Sequence, residues 1–295
     1  MIEFRTGDGG PALHALWRQV FPDAGHVAPL YGQDPGRADR TFLAYDGDGP
    51  VAVVYWLPRQ VRGLGGAVHL VGCVSSVATL PRARGQGLVR RLLAMAVESM
   101  TAHGCAWSLL FTGTPGVYAG WTVFDRVHVR GTFAAGAPER PGWTAGSARL
   151  DAWPVLADLH ARSPRPLTTV RSPEDWVARV PVWYGRGHEI LLVREHGTPV
   201  AYAVADWRTG DVVEFAARPD ATRPLFEAVA RAAGRRGVAA GRLLAPPEAA
   251  LPALFATWSP EVDRTGMVRP LHSGAEEVMA VVTAPAAVHW TADYF

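Results

Sequence analysis

Arg82-Ala83-Arg84-Gly85-Gln86-Gly87 joins a long apolar run, Val68–Thr79, to a segment of helical period that begins at Leu88. In that segment Leu88, Val89, Leu92, Leu93, Ala96, Val97 and Met100 recur at helical spacing, while Arg90, Arg91, Glu98 and Ser99 fall elsewhere. Gly104 can close the helix in a left-handed cap. The junction therefore reads strand, glycine loop, helix. A helix start carries unsatisfied amides backed by the positive end of the helix dipole, and glycine lets a backbone come close to an anion. Arg82, Arg84, Arg90 and Arg91 stand around the same helix start and can add charge-assisted bonds. Ala83, Gln86 and Leu88 contribute backbone amides to the same loop, so the segment from Arg82 to Leu88 is expected to hold a pyrophosphate.

Outward from the loop, the first half reads as strand Ile2–Arg5, helix Pro11–Phe21, strand Arg40–Tyr45, a hairpin turn at Asp46-Gly47-Asp48-Gly49-Pro50 and strand Val51–Leu57. Gly63-Leu64-Gly65-Gly66 then turns into the long run. Past the helix come strand Ala106–Thr112, a short helix beginning near Pro115, and strands around Val127–Phe133 and Ser147–Leu150 joined by a Gly- and Pro-rich loop, Ala134–Gly146. The second half repeats this order. Strands Glu189–Arg194, Val200–Trp207 and Val212–Ala217 precede helix Ala221–Arg235, strand Gly241–Ala245, helix Glu248–Trp258 and strands Thr265–Pro270 and Glu277–Thr283. An internal duplication follows, with its boundary near Asp151, ahead of the Pro-rich stretch Ser163-Pro164-Arg165-Pro166. The expected fold is α/β, two domains over residues 1–150 and 151–295, each a mixed twisted sheet flanked by helices.

The halves differ at the loop. The second strand-to-helix junction reads Arg218-Pro219-Asp220-Ala221-Thr222-Arg223, with no glycine, one amide missing at Pro219 and an acid at Asp220. Only the first half is expected to bind a phosphorylated cofactor. A dinucleotide-binding fingerprint is excluded by context, since it follows a chain's first parallel strand and expects an acidic residue about 20 positions on. Position 107 is Trp.

With strand, loop and helix in this order, Arg82, Gly85 and Gly87 resemble the signature of the GNAT acetyltransferase superfamily, whose Arg/Gln-x-x-Gly-x-Gly/Ala loop grips the pyrophosphate of coenzyme A. The resemblance implies acetyl-CoA as cosubstrate and two strands that splay apart around the pantetheine arm. It also implies a tyrosine shortly after the second of these strands that protonates the departing thiolate. Tyr118, followed by Trp121 and Phe124, matches that segment, although Thr122 replaces the usual glycine before the last aromatic. Backbone amides near Ser76 and Val77 are expected to hold the thioester carbonyl as an oxyanion site. The base stays open. Where many members carry Glu on the first splayed strand this chain has Val71; His69, two residues away on the same face, has a suitable reference pKa near ~6.5. The tandem order resembles the enhanced-intracellular-survival type, which acetylates aminoglycosides and other amines and whose terminal carboxylate reaches the active site. Phe295 is the match here, with Asp293 a further candidate, and the chain is too short for that group's sterol-carrier-like third domain.

Composition agrees with a small-molecule partner. Net charge is +2 with 19% charged residues, so no polybasic arm or acidic tail points to nucleic acid or a membrane surface. Neither Lys nor Asn occurs, which reads as a GC-rich genome rather than an arginine face. The two cysteines, Cys73 and Cys105, form no disulfide framework and no zinc spacing, so no metal is expected. The N-terminus is not a signal peptide and no apolar run approaches the ~20 residues of a membrane helix, so a cytoplasmic protein is expected. The leading expectation is acetyl transfer to a primary amine of a small molecule, such as an antibiotic or secondary-metabolite intermediate. Alternatives are a non-catalytic coenzyme A-binding regulator and an O-acyl or longer-chain acyltransferase. A homo-oligomer is compatible with all three.

Overall fold

The computed structural model describes residues 1–47, 49–135, 139–185 and 187–295. Asp48 of the expected hairpin turn and residues 136–138 of the expected loop lie outside the described residues. The β-branched and aromatic runs of the first half form β1 (Ile2–Thr6), β2 (Thr41–Asp46), β3 (Gly49–Arg62), β4 (Val68–Thr79), β5 (Trp107–Phe111), β6 (Thr122–Val123), β7 (Arg126–Phe133) and β8 (Trp143–Ala148). Those of the second half form β9 (His188–Glu195), β10 (Thr198–Asp206), β11 (Asp211–Ala217), β12 (Ala240–Leu243), β13 (Phe255–Asp263) and β14 (Gly266–Pro270).

One sheet has the order β1-β2-β3-β4-β5-β14-β6 and the other, read in the same sense, β8-β9-β10-β11-β12-β7-β13. Both are antiparallel except at one parallel pair, β4 with β5 and β11 with β12. The repeated order is the duplication expected from the sequence. The sixth strand of each sheet, however, comes from the other half: β14 lies between β5 and β6, and β7 between β12 and β13. β8 also joins the second sheet. Sheet membership therefore does not change at Asp151, as a division into 1–150 and 151–295 supposes.

Helices α1 (Gly10–Val20), α2 (Val27–Gly32) and α3 (Arg37–Arg40) separate β1 from β2, and α4 (Leu88–Ala102) separates β4 from β5. α4 buries Leu88, Leu92, Leu93, Ala96 and Met100 against the first sheet, each leucine adding about 1.5–3 kcal/mol of hydrophobic stabilisation. Gly72 sets how closely α4 seats on β4, because a Cβ there would lie 2.2 Å from Met100 Sδ. In the second half, α5 (Trp153–Arg162) and α6 (Val180–Tyr184) precede β9, α7 (Thr222–Arg235) links β11 to β12, and α8 (Ala275–Val282) follows β14. No described helix is long and apolar enough to cross a membrane.

Two expected elements change type. The Ala-rich stretch Glu248–Trp258 is a single turn at Leu251–Ala253 followed by β13, whose pairing with β7 overrides helix propensity. The run Glu277–Thr283, expected as a strand, lies largely in α8, where Val278, Val281 and Val282 are buried at helical spacing and Glu276 and Glu277 occupy the first turn.

A buried ionic cluster ties the last residues of the chain to the second sheet. Arg171 donates to both oxygens of Glu214 on β11, at 2.9 and 2.7 Å, and to Asp293 at 2.9 Å. Tyr184 and Tyr202 donate their hydroxyls to the same Glu214, and Ala292 N donates to Tyr184 Oη at 3.0 Å. Burial would raise the Glu214 carboxyl, but the charge and hydrogen bonds of Arg171 outweigh it and hold it down to about 2.

Candidate active site

β4 is one residue longer than its partner where it meets the loop side of the sheet. Val53 pairs with Ala78 and Tyr55 with Ser75, so Ser76 and Val77 face the single residue Val54. This is a β-bulge, and Ser76 takes φ 54°, a backbone conformation that costs a non-glycine residue about 1–3 kcal/mol. Trp17 of α1 donates its indole N–H to Ser76 O at 2.8 Å and so fixes the bulge. The parallel pairing of β4 with β5 runs from Val71–Trp107 only to Cys73–Leu109. Beyond that point the strands part, and the amides of Ser76 and Val77 have no register partner in either neighbour.

Three neighbouring cavities lie about the bulge and the splay. A groove of about 1090 Å³ runs along the loop, lined by Ala83 and Arg84 to Val89 on one side and Thr114 to Ala119, including Tyr118, on the other. A passage of about 340 Å³ lies between the splayed strands, with Ser75, Ser76 and Val77 facing Leu110, Phe111 and Tyr118. A chamber of about 200 Å³ lies beyond, lined by Ser75, Ser76, Tyr31, Tyr55, Arg179 and Phe295 among others. Phe21, at the end of α1, touches all three.

The expected loop residues divide. Gly85 and Gly87 have φ of 75° and 72°, and a Cβ at Gly85 would meet nothing within 4 Å, so the backbone faces open space. Arg84 to Gly87 are exposed, while Leu88 and Ala83 bury their side chains beneath the loop. This is a cradle into which a pyrophosphate fits, with Arg90 on its rim. Arg82 does not line the groove, and Arg91 stacks over Phe4 at 4.0 Å instead. In the second half, Arg218 pairs with Asp220 at 2.6 Å and with Glu195 at 2.6 Å, and α7 starts with no left-handed residue. Its charges are already neutralised.

Tyr118 stands where groove and passage meet. It follows a single turn, Pro115–Val117, where a short helix beginning near Pro115 is expected from the sequence. Burial pushes its phenol up, against a smaller opposing effect of a hydrogen bond with Thr112, so it is protonated at neutral pH. The main-chain oxygen of Phe295 accepts a hydrogen bond from Ser75 Oγ at 2.6 Å, beside the bulge. Asp293 is two residues away but engaged by Arg171 and by Trp290 N, so it anchors rather than reaches the cavities.

His69 is not brought to this place. It lies six residues up β4 from Ser75, roughly 20 Å by strand rise, pairs across to Val61, and approaches Glu277 at 4.0 Å. The imidazole at the chamber is His26, whose pKa burial lowers by disfavouring the charged form. His26, Phe21, Ser75 and Arg179 were not anticipated from the sequence. Ser75 sits on β4 beside Ser76, while His26, Phe21 and Arg179 come from a loop, the end of α1 and the second half, with no local spacing that links them to the glycine loop.

Residues 7–123 match the family model of an acetyltransferase (GNAT) domain. No curated protein matches the sequence. Among solved structures, the chain is similar to a probable N-acyltransferase from Enterococcus faecalis, with a TM-score of 0.72 and 14% identity, over 92% of this chain and 72% of that one. It is also similar to a GCN5-related N-acetyltransferase from Kribbella flavida, with a TM-score of 0.69 and 18% identity, over 95% and 73%. Eis1 from Mycobacterium abscessus gives 0.64 and 13%, over 92% and 74%. At these identities the likenesses establish the fold alone, and the family model covers most of the first half. Residues 7–123 match a GNAT acetyltransferase domain, a family that uses acetyl-CoA as cosubstrate, and the whole chain has the fold of tandem GNAT-like structures.

Proposed function

We propose that the protein transfers an acetyl group from acetyl-CoA to the primary amine of a small molecule, with the acceptor in the chamber and the cofactor in the groove. The adjacency of the three cavities carries this reading, since one residue, Phe21, lines all of them. Acetyl-CoA, when bound, supplies a thioester carbonyl to the passage. The amides of Ser76 and Val77, free of register partners, are the donors we assign to that carbonyl oxygen. Tyr118 Oη holds a proton at neutral pH and serves as general acid at the mouth of the passage. Phe295 orients the acceptor through its main-chain oxygen at Ser75. The second half is the degenerate copy; it contributes Arg179 and the chain's last residues to the site.

The test is release of free thiol from acetyl-CoA across a panel of small amines. Acetyl-CoA that binds with no turnover on any amine would favour a regulatory role instead. Tyr118→Phe should lower kcat by about 10²–10⁴-fold and leave the acetyl-CoA thermal shift in place; loss of both together would remove Tyr118 from the mechanism. Deletion of Phe295 should lower kcat/KM by about tenfold, the effect of losing one ~1.4 kcal/mol orienting contact. Unchanged activity in that variant would exclude the residue.

A further inference from the structure

The chamber is walled largely by apolar and aromatic groups, among them Phe21, Leu30, Tyr31, Tyr55, Leu57 and Phe295. Its volume of about 200 Å³ is somewhat larger than a ~150 Å³ cavity that accommodates one benzene ring. One charged side chain stands among these walls. Arg179 is 6% exposed, lines the chamber, and makes no hydrogen bond among the described residues. Its Nη2 is buried without a partner.

The carboxylates nearby are already engaged. Asp175 accepts from Arg59 Nη1 at 2.7 Å and from Ser172 N at 3.0 Å, and reaches Arg179 only through Nε at 3.6 Å. Asp34 is taken up by Arg40 and by the Tyr55 hydroxyl, the latter at 2.6 Å. No side-chain carboxylate lines the chamber among the described residues. Burial of Arg179 and the neighbouring charge of Arg59 both work against its own charge. A buried guanidinium left without hydrogen bonds is costly unless a ligand completes it, and its planar fork matches a carboxylate.

We propose that the acceptor is an amino acid, with its carboxylate on Arg179 and an apolar side chain of about one ring in the chamber; this deepens the acyl-transfer reading and rests on it.

The experiment compares free-thiol release with L-phenylalanine and L-phenylalaninamide, and calorimetric binding of 3-phenylpropanoate and 3-phenylpropanamide, which carry no amine. Wild type should favour the acid over the amide in kcat/KM by about 10–100-fold, the ratio a hydrogen bond to a charged group supplies, with Arg179→Gln compressing it below about threefold. Arg179→Lys should retain part of the preference, and the acetyl-CoA thermal shift reports that each variant is folded. An amide used as well as the acid, a preference that survives Arg179→Gln, or no binding of 3-phenylpropanoate overturns the assignment. Thiol release at an acid-to-amide ratio near one sinks this inference and spares acyl transfer. Arg179-dependent binding of 3-phenylpropanoate without turnover of any amine does the reverse.

Discussion

An Arg171→Leu variant should lose about 3–5 kcal/mol of stability, because it strands two buried carboxylates without their cation. Glu214 and Asp293 have fully buried side chains, and both bond to the Arg171 guanidinium. Tyr184 and Tyr202 can still donate to Glu214, but hydroxyls do not replace a charge. The loss reads out as a lower urea midpoint at an unchanged slope. A loss below about 1 kcal/mol, the range of surface pairs, would show that the cluster contributes little. pH supplies a second readout. Glu214 is held down to about 2 in the folded chain, so its contribution is complete above the unfolded carboxylate value of ~4.3 and is lost as pH falls from there through about 2. The variant should lack that acid-side dependence. Acyl transfer should fall with stability, since Asp293 holds the segment that carries Phe295 to Ser75.

Gly87→Val should abolish the stabilisation given by acetyl-CoA. In wild type, ligand at about 100 times its dissociation constant adds ~2.7 kcal/mol. Gly87 sits at φ 72°, where a β-branched residue costs about 1–3 kcal/mol, and its side chain would enter the groove on the path between loop and cofactor. The variant starts from a lower melting temperature for that reason alone. The informative quantity is the increment on adding acetyl-CoA, and an increment equal to wild type would remove the loop from cofactor binding.

Much of this was legible in the sequence where local chemistry decides the outcome. The loop, the long strand before it, the amphipathic period of α4 and the glycine at its end are all written in neighbouring residues, and the structure has β4 at Val68–Thr79 and α4 at Leu88–Ala102. Where partners are distant, residues alone misled. Phe255–Asp263 is rich in residues of mixed propensity and became a strand only because β7 offers it an edge. Valines 278 and 282 read as β until their helical spacing is set against the first core. His69 shares a strand and a face with the site's approach, yet six residues of strand rise remove it. Arg179 and Ser75 acquire meaning only when the second half folds over the first.

The traded strands β7 and β14 have a consequence for how the protein holds together. Without β14, β5 would present an unpaired edge and the two-residue β6 would lose the strand it pairs with. Without β7, β12 and β13 would come apart in the same way. Neither copy closes its own sheet, so the two should melt as one cooperative unit rather than as beads on a string. That reciprocity gives a reason for a copy with no phosphate loop to persist. Its removal would cost the loop-bearing copy an interior strand, and with it the continuity of the sheet on which the bulge, the passage and the chamber are built.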